Sequence, residues 1–174
     1  FVPFLIRAMV RALGEQPDLN ARLDEDSGIL HRSPAVHVGV SVQTPRGAMV
    51  PVIRDACGLS LRKTAAALSR LTNAARDGSI RPDEISGSTI TIRSLGHPDA
   101  LLATPVLHRP EVAAIGVNRI VTRPLWDGRA FVPRKVMNLS CSFDHRAVTD
   151  GDAAAFVARL RQLLETPALI FIGE

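Results

Sequence analysis

The stretch VMNLSCSFDHRAVTDG, residues 136–151, places a histidine between two signals of regular structure. Its hydrophobic first half, Val136 to Phe143, predicts a strand. From Asp152 to Glu165 the apolar residues recur at helical spacing, which predicts an amphipathic helix. A strand therefore delivers His145 to a turn, and the turn begins a helix.

The chemistry of this position depends on the imidazole of His145. Imidazole exchanges a proton near neutral pH, because its ordinary pKa is about 6.5. Held at the end of a strand, His145 is well placed to act as a general base. A histidine in a strand-to-helix turn can also be a purely structural hydrogen-bonding group, and the local sequence leaves both interpretations open.

Length and charge narrow the class of protein. The chain has 174 residues, which is about one domain and enough for a substantial core. The net charge is +4, but the arginines are scattered and form no basic run interleaved with aromatic residues, so no nucleic-acid partner is expected. No apolar stretch reaches the length of about eighteen residues that spans a bilayer, so no membrane partner is expected.

The cysteines and the first residues of the chain indicate the cellular compartment of the protein. Cys57 and Cys141 are too few and too far apart for a disulfide framework or a metal site, so no metal is expected. Cys141 alternates within the apolar strand, which predicts a buried free thiol and fits a reducing cytoplasm. The opening FVPFLI lacks the charged start of a signal peptide and reads as a chain already inside a helix.

Helix and strand signals mix along the chain without the glycine-rich loops of a nucleotide-binding fold. Valines alternate strictly from Val36 to Val42, which indicates a half-buried strand, and Gly14 is read as the end of the first helix. We therefore predict an α+β domain with a mixed or mainly antiparallel sheet flanked by helices. The predicted helices are 4–13, 60–76 and 152–165, and the predicted strands are 21–24, 29–32, 36–42, 49–53, 89–92, 113–117, 119–123 and 136–143.

Asp144-His145-Arg146 followed by an acidic residue and Gly151 resembles the DHRxxDG signature of the 2-oxo acid dehydrogenase acyltransferases. These are the dihydrolipoamide acyltransferase cores of the pyruvate, 2-oxoglutarate and branched-chain complexes. Further stretches agree in order along the whole chain, and MNLS at 137–140 looks closer to branched-chain members. These stretches are PFLIR (3–7), PDLNA (17–21), VGV (38–40), TPRG (44–47), VPVIRDA (50–56), GSTITI (87–92), SLG (94–96), TP (104–105), PEVA (110–113), GV (116–117) and WDG (126–128).

The resemblance implies a fold like chloramphenicol acetyltransferase, assembled as homotrimers that build a larger hollow core. It implies a channel between subunits, where coenzyme A enters from one end and a lipoyl arm, carried on a separate domain, from the other. The decarboxylase and dihydrolipoamide dehydrogenase of the complex would be partners. Residues 1–174 would be the catalytic core, incomplete at its N-terminus and without the lipoyl and subunit-binding domains.

The acidic residue of the signature is displaced by one position. The family has an aspartate four residues after the histidine, where this chain has Thr149, and Asp150 comes one place later. Either one residue is inserted and Asp150 does the aspartate's work, or the register is ungapped and Thr149 stands there. We favour the second, because Phe156 and the apolar spacing after it then match the family helix. Thr149 would in that case also suit the helix N-cap.

The oxyanion-stabilising hydroxyl of the family is a second departure. The resemblance aligns that serine with Arg93, and the nearest hydroxyl is Ser94, although adjacent strand residues face opposite sides of a sheet. Arg93 could donate to an oxyanion or a phosphate, or it could block the channel. The candidate catalytic residues are therefore His145, Thr149 and Asp150, and the candidate substrate-binding residues are Arg93 and Ser94.

Three functions compete at this point. The first is acyl transfer between a lipoyl thioester and coenzyme A, as the resemblance implies. The second is an oligomeric scaffold with impaired catalysis, which the residues at 93 and 149 keep open. The third is a stand-alone acyltransferase of the wider HxxxD type, which we disfavour because the other motifs follow the dehydrogenase family throughout.

Overall fold

The computed structural model describes residues 1–94 and 102–172. Within these ranges a mixed sheet of five strands carries helices on one face, and two short hairpins lie beside it. The helices are α1 (Val2–Glu15), α2 (Leu61–Asp77) and α3 (Asp150–Glu165). The strands are β1 (Ala21–Asp24), β2 (Ile29–Arg32), β3 (Val38–Val40), β4 (Val42–Thr44), β5 (Gly47–Met49), β6 (Val52–Ile53), β7 (Ile90–Ser94), β8 (Ala113–Trp126) and β9 (Phe131–Phe143).

The five-stranded sheet has the order β6-β3-β7-β8-β9. Strand β7 pairs in parallel with both β3 and β8, whereas the outer pairs β3–β6 and β8–β9 are antiparallel. The sheet is therefore mixed, as the sequence predicts. The hairpins β1–β2 and β4–β5 form separate two-stranded sheets.

The two faces of the sheet differ in chemistry because side chains alternate along each strand. Ile90, Ile92 and Ile115 belong to the hydrophobic core, together with Leu5 of α1 and Phe156 of α3. The residues between them on the strands are small or polar. On this polar face stand Gly39, Thr91, Arg93, Ala114, Gly116, Ser140 and Ser142.

The first helix extends past the predicted stop at Gly14. It ends at Glu15, because the backbone N–H of Gln16 still donates to the carbonyls of Ala12 and Leu13 at 3.2 Å each. Apolar residues on one side of the helix are completely buried, so packing against the core outweighs the low helix propensity of glycine.

The structure also changes the prediction of two separate strands between residues 113 and 123. Residues 113–117 and 119–123, predicted as two strands, belong to the single strand β8, and an irregularity between Val117 and Ile120 shifts its register against β9. A bulge of this kind interrupts the alternation of side chains that the sequence pattern depends on. Asn118 is buried there and bonds to Ala103 N–H and Ser140 Oγ at 2.9 Å each.

Cys141 packs against the core, and burial raises the pKa of its thiol to about 11. A thiol in this condition holds little of the reactive thiolate at neutral pH. Both cysteines are free, and Cys57 is exposed.

Candidate active site

His145 lies in a tight turn between β9 and α3. The turn is held by backbone bonds: Asp144 N–H donates to Val112 at 2.8 Å, and the N–H groups of Ala147 and Val148 donate to the Asp144 carbonyl. Val148 is buried and anchors the turn to the core. The side chain of His145 is 66% exposed, so the fold delivers an imidazole to the surface on a rigid support.

Asp150 is the acidic group nearest to this imidazole among the ion pairs of the described residues. Its Oδ1 lies 3.4 Å from His145 Nδ1, and the carboxylate is 97% exposed. An exposed pair of this kind contributes little energy, on the order of 1 kcal/mol or less. It favours a proton on Nδ1, which leaves Nε2 as the nitrogen able to take a proton from a substrate.

Thr149 serves as the N-cap of α3. Its hydroxyl oxygen accepts from the backbone N–H of Asp152 at 3.2 Å and its hydroxyl lies 2.6 Å from Asp152 Oδ2. The structure thus brings Asp150 to the histidine and engages Thr149 with the helix. Thr149 and Asp150, which the sequence left as alternatives for the aspartate of the signature, therefore have different partners.

Thr149→Ala is expected to lower the free energy of unfolding by about 1 kcal/mol, because an uncapped backbone N–H is left at the helix start. Urea unfolding followed by circular dichroism measures this change. Thr149→Ser, which keeps the capping oxygen, should stay within about 0.5 kcal/mol of the parent. Equal losses in both variants would contradict the capping role.

A network of charged side chains supports the turn that holds His145. Arg146 donates to Asp144 through Nε and Nη2, at 3.0 and 2.6 Å, and these bonds hold the pKa of the Asp144 carboxyl below its usual range. Arg146 Nη2 also reaches Glu25 at 2.8 Å, and the other oxygen of Glu25 lies 2.6 Å from Arg109. The β1–β2 turn is therefore tied to the turn that holds His145. Sequence reasoning missed Glu25, since no local pattern connects it to residue 146.

Arg93 lies near the end of β7, on the polar face of the sheet. Its Nε is buried and has no hydrogen-bond partner in the part of the chain that the structure describes. Arg93 pairs with Gly116, and Gly116 pairs with Ser140, five positions before His145. With strands about 4.8 Å apart and a rise of about 3.3 Å per residue, Phe143 at the end of β9 lies roughly 14 Å from Arg93 within one chain, and His145 follows two residues later.

Ser94 occupies the last position of β7 and pairs with Val117. Its side chain lies outside the described part of the structure, as do residues 95 and 96 of the SLG stretch. The prediction that Ser94 binds substrate therefore stays a prediction.

Glu111 is a buried carboxyl group that the sequence did not single out, although it stands in the PEVA stretch. It is 5% exposed, and its Oε1 accepts from the hydroxyls of Ser88 and Thr91, the latter at 2.8 Å. Its Oε2 is buried without a partner among the described residues. Burial raises the pKa of Glu111 above its ordinary value.

Within residues 1–94 and 102–172, no group of three or more histidine, cysteine, aspartate or glutamate side chains could hold a metal ion. Among the helices of the same ranges, none has both the length and the hydropathy needed to cross a bilayer.

The sequence matches one family model over nearly its full length. Residues 1–172 fit the model of the 2-oxoacid dehydrogenases acyltransferase catalytic domain. The lipoamide acyltransferase component of the branched-chain alpha-keto acid dehydrogenase complex of Pseudomonas aeruginosa is 52% identical over 171 residues. That alignment covers 98% of this chain and 40% of the Pseudomonas protein, so the chain spans less than half of that relative.

Solved structures agree with the fold. Azotobacter vinelandii dihydrolipoamide acetyltransferase superposes with a TM-score of 0.91 at 39% identity, over 98% of this chain and 70% of that one. The cubic core of a pyruvate dehydrogenase multienzyme complex gives 0.91 at 40% identity, with the same coverage. Chloramphenicol acetyltransferase gives 0.62 at 15% identity, over 94% of this chain and 77% of that one, which confirms the predicted fold class.

The Azotobacter structure comes from work on the roles of a serine, a histidine and an asparagine in the catalytic mechanism of that enzyme. In its sequence the serine precedes the histidine by 52 residues, and the asparagine follows the histidine by four.

Proposed function

This chain belongs to the family of 2-oxoacid dehydrogenase acyltransferase catalytic domains, and we propose that it transfers an acyl group between a lipoamide thioester and coenzyme A. One observation carries the proposal beyond family membership. The chain keeps His145 on a rigid, exposed turn, braced by Asp144 and Arg146. A scaffold protein would need no imidazole in such a position.

His145 acts as the general base in the proposed reaction. A thiol with a pKa of about 8.5 is mostly protonated at neutral pH, and only the thiolate is a good nucleophile. Nε2 takes the thiol proton of coenzyme A while the sulfur attacks the carbonyl carbon of the acyl-lipoyl thioester. The tetrahedral intermediate then collapses, the carbon–sulfur bond to the lipoyl group breaks, and the leaving sulfur takes the proton back from the imidazolium.

Arg93 supplies the donor for the oxyanion in this proposal. Arg93 precedes His145 by 52 residues and Thr149 follows it by four, which are the spacings of the serine and the asparagine in the Azotobacter enzyme. The spacing supports the ungapped register. The guanidinium of Arg93 carries several N–H donors, which suit it to stabilise the developing negative charge.

The proposed site is composed of two copies of the chain. Arg93 and His145 are too far apart in one chain to act on the same carbonyl group, since strand geometry places roughly 14 Å between Arg93 and Phe143, the last strand residue before His145. We therefore propose a homotrimer in which Arg93 of one copy faces His145 of the next, and which builds a larger core. The cubic core of the pyruvate dehydrogenase complex, which superposes closely, is consistent with this assembly.

The proposed setting is a branched-chain 2-oxo acid dehydrogenase complex. The Pseudomonas relative at 52% identity is a component of such a complex. Residues 1–174 would be the catalytic core of the longer protein, with coenzyme A as a substrate and a lipoyl group delivered by a separate domain. The decarboxylase and dihydrolipoamide dehydrogenase of the complex would be its partners, in the bacterial cytoplasm.

The acyl specificity can be measured directly with the assembled protein. Transfer to dihydrolipoamide from isobutyryl-, acetyl- and succinyl-coenzyme A is followed spectroscopically, and isobutyryl transfer is expected to have the highest kcat/KM. A difference of one or two methylene groups in an apolar pocket changes this ratio by about 10- to 200-fold. Acetyl transfer equal to isobutyryl transfer would contradict the branched-chain assignment but not the transferase activity.

The second candidate is a scaffold with impaired catalysis. The arginine at position 93 favours it, because this residue replaces a small hydroxyl side chain of the family with a long charged one. The absence of transfer from all three acyl donors by a correctly assembled protein would favour the scaffold.

A further inference from the structure

Residues 102–105 form a strap that lies on the polar face of the sheet without being a strand themselves. Two side chains of this face fasten the strap. The backbone N–H of Ala103 donates to Asn118 Oδ1 at 2.9 Å, and the hydroxyl of Ser142 donates to the carbonyl of Pro105 at 2.6 Å. Pro105 is buried, so the strap packs closely on strands β8 and β9.

The side chain of Asn118 is fixed at the point where the register between β8 and β9 shifts. It is 4% exposed, and its Nδ2 donates to Ser140 Oγ at 2.9 Å and to the Asn138 carbonyl at 3.2 Å. An amide side chain has two N–H donors and one acceptor oxygen, and both ends of this one are engaged. Asn118 therefore offers the strap an acceptor whose position is set by the sheet.

The strap passes next to Arg93. On the polar face of β8, Gly116 lies between Asn118 and Ala114, and Ala114 pairs with Ser142. The two fastening points are thus on either side of Gly116, which is also the register partner of Arg93. Glycine has no side chain, so the space beside Arg93 is left to the strap. Neighbouring strands are about 4.8 Å apart, which puts the strap within reach of the Arg93 side chain.

An arginine that acts on a reacting group needs a defined orientation. Its long side chain has several rotatable bonds, and neighbours must restrain them. Arg93 is half-buried with a buried Nε, so its side chain is confined on the face of the sheet. A misplacement of about 1 Å in a catalytic arrangement can lower a rate by as much as a hundredfold.

We propose that Asn118 is a positioning residue that fastens the strap beside Arg93 and thereby fixes the orientation of the guanidinium. The inference rests on the proposed function, in which Arg93 donates to the oxyanion. The bonds of Asn118 go to the strap and to β9, so its effect on the reaction passes through Arg93.

Asn118→Ala tests the proposal without any need for catalysis. In the assembled full-length protein, hydrogen exchange of peptides that cover residues 102–106 should show the Ala103 amide exchanging about three- to tenfold faster, the effect of one lost hydrogen bond. Phenylglyoxal, which modifies guanidinium groups, should react with Arg93 faster by about the same factor. Mass spectrometry of the digested protein locates the modified arginine.

Two variants separate the strap from general loosening of the strands. Ser140→Ala removes another bond of Asn118 and leaves both bonds to the strap, so exchange at Ala103 and modification of Arg93 should stay within about twofold of the parent. Ser142→Ala removes the second fastening point and should raise both rates as Asn118→Ala does. It also provides the test if Asn118→Ala does not fold.

A double-variant cycle shows whether Asn118 acts through Arg93. Asn118→Ala alone should lower kcat for acyl transfer about tenfold with little change in KM, because positioning affects the transition state. In the Arg93→Ala background the same change should have no further effect on kcat. A merely structural role would lower kcat equally in both backgrounds.

Three results would overturn the proposal. One is an unchanged modification rate of Arg93 in Asn118→Ala and Ser142→Ala, even if the Ala103 amide exchanges faster. Another is a faster modification in Ser140→Ala equal to that in Asn118→Ala, and the third is an equal loss of kcat in both backgrounds of the cycle. Exchange and modification need no turnover, so failure of acyl transfer by the parent protein would refute only the proposed function.

Discussion

His145→Ala should lower kcat for acyl transfer from coenzyme A to dihydrolipoamide by about 10² to 10⁴, the range expected when a general base is removed. Within residues 1–94 and 102–172, the ion pair of this imidazole is the exposed one with Asp150, so the variant should fold and assemble as the parent does. The rate is measured with saturating substrates at several pH values. The activity of the parent should decrease toward acidic pH, because a protonated base cannot accept a proton, and the variant should not show this decrease.

Asp150→Asn is the matched comparison for His145→Ala. The carboxylate is almost fully exposed and lies 3.4 Å from the ring, so its loss should change kcat by no more than about fivefold, the equivalent of an exposed ion pair. Added imidazole that restores part of the activity of His145→Ala would support proton transfer by the ring. A parent protein no faster than His145→Ala would contradict catalysis by this residue and favour the scaffold.

Arg93→Ala should lower kcat by about 10² to 10³, which is the effect of removing one donor from an oxyanion site. The expected change in KM is small, because the donor acts mainly on charge that develops in the transition state. Arg93→Ser should recover part of the lost rate, since a hydroxyl at this position is what the family resemblance implies. Single-turnover rates with acyl-coenzyme A separate the chemical step from product release.

Arg62→Ala is the control for a lost arginine. Arg62 is exposed near the start of α2 and belongs to no candidate site, and its removal should leave kcat unchanged. If Arg93→Ala were instead faster than the parent, the arginine would be an obstruction in the channel. In that case another group would have to donate to the oxyanion, and the arginine at position 93 would be a reason for low transferase activity.

The network around Glu25 explains how the turn can hold the proposed general base at an exposed position. Arg146 bonds within the turn to Asp144 and across to Glu25, whose second oxygen reaches Arg109. Single exposed ion pairs are weak, but a connected set restrains side chains jointly. The β1–β2 hairpin thereby becomes part of the support for His145.

The local pattern of the chain was sufficient to predict the main elements and the strand–turn–helix that holds His145. Alternation in β9 and helical spacing in α3 are properties of neighbouring residues, and burial of one face enforces both. Boundaries that depend on distant packing were wrong: Gly14 lies inside α1, and β8 continues through a bulge beyond Val117. Ordered motifs then predicted the family, which the comparisons confirmed.

Contacts between segments that are distant in sequence could not be predicted from the sequence. Asp150 rather than Thr149 lies next to the imidazole, because the threonine hydroxyl caps the helix. The path of the chain into α3 decides which of the two side chains faces His145. Glu111 joins Ser88 and Arg22 through strand pairing across many residues. Hydrophobic periodicity records which face of an element is buried, whereas the partner of a polar side chain depends on which elements the fold brings together, and that is a tertiary property.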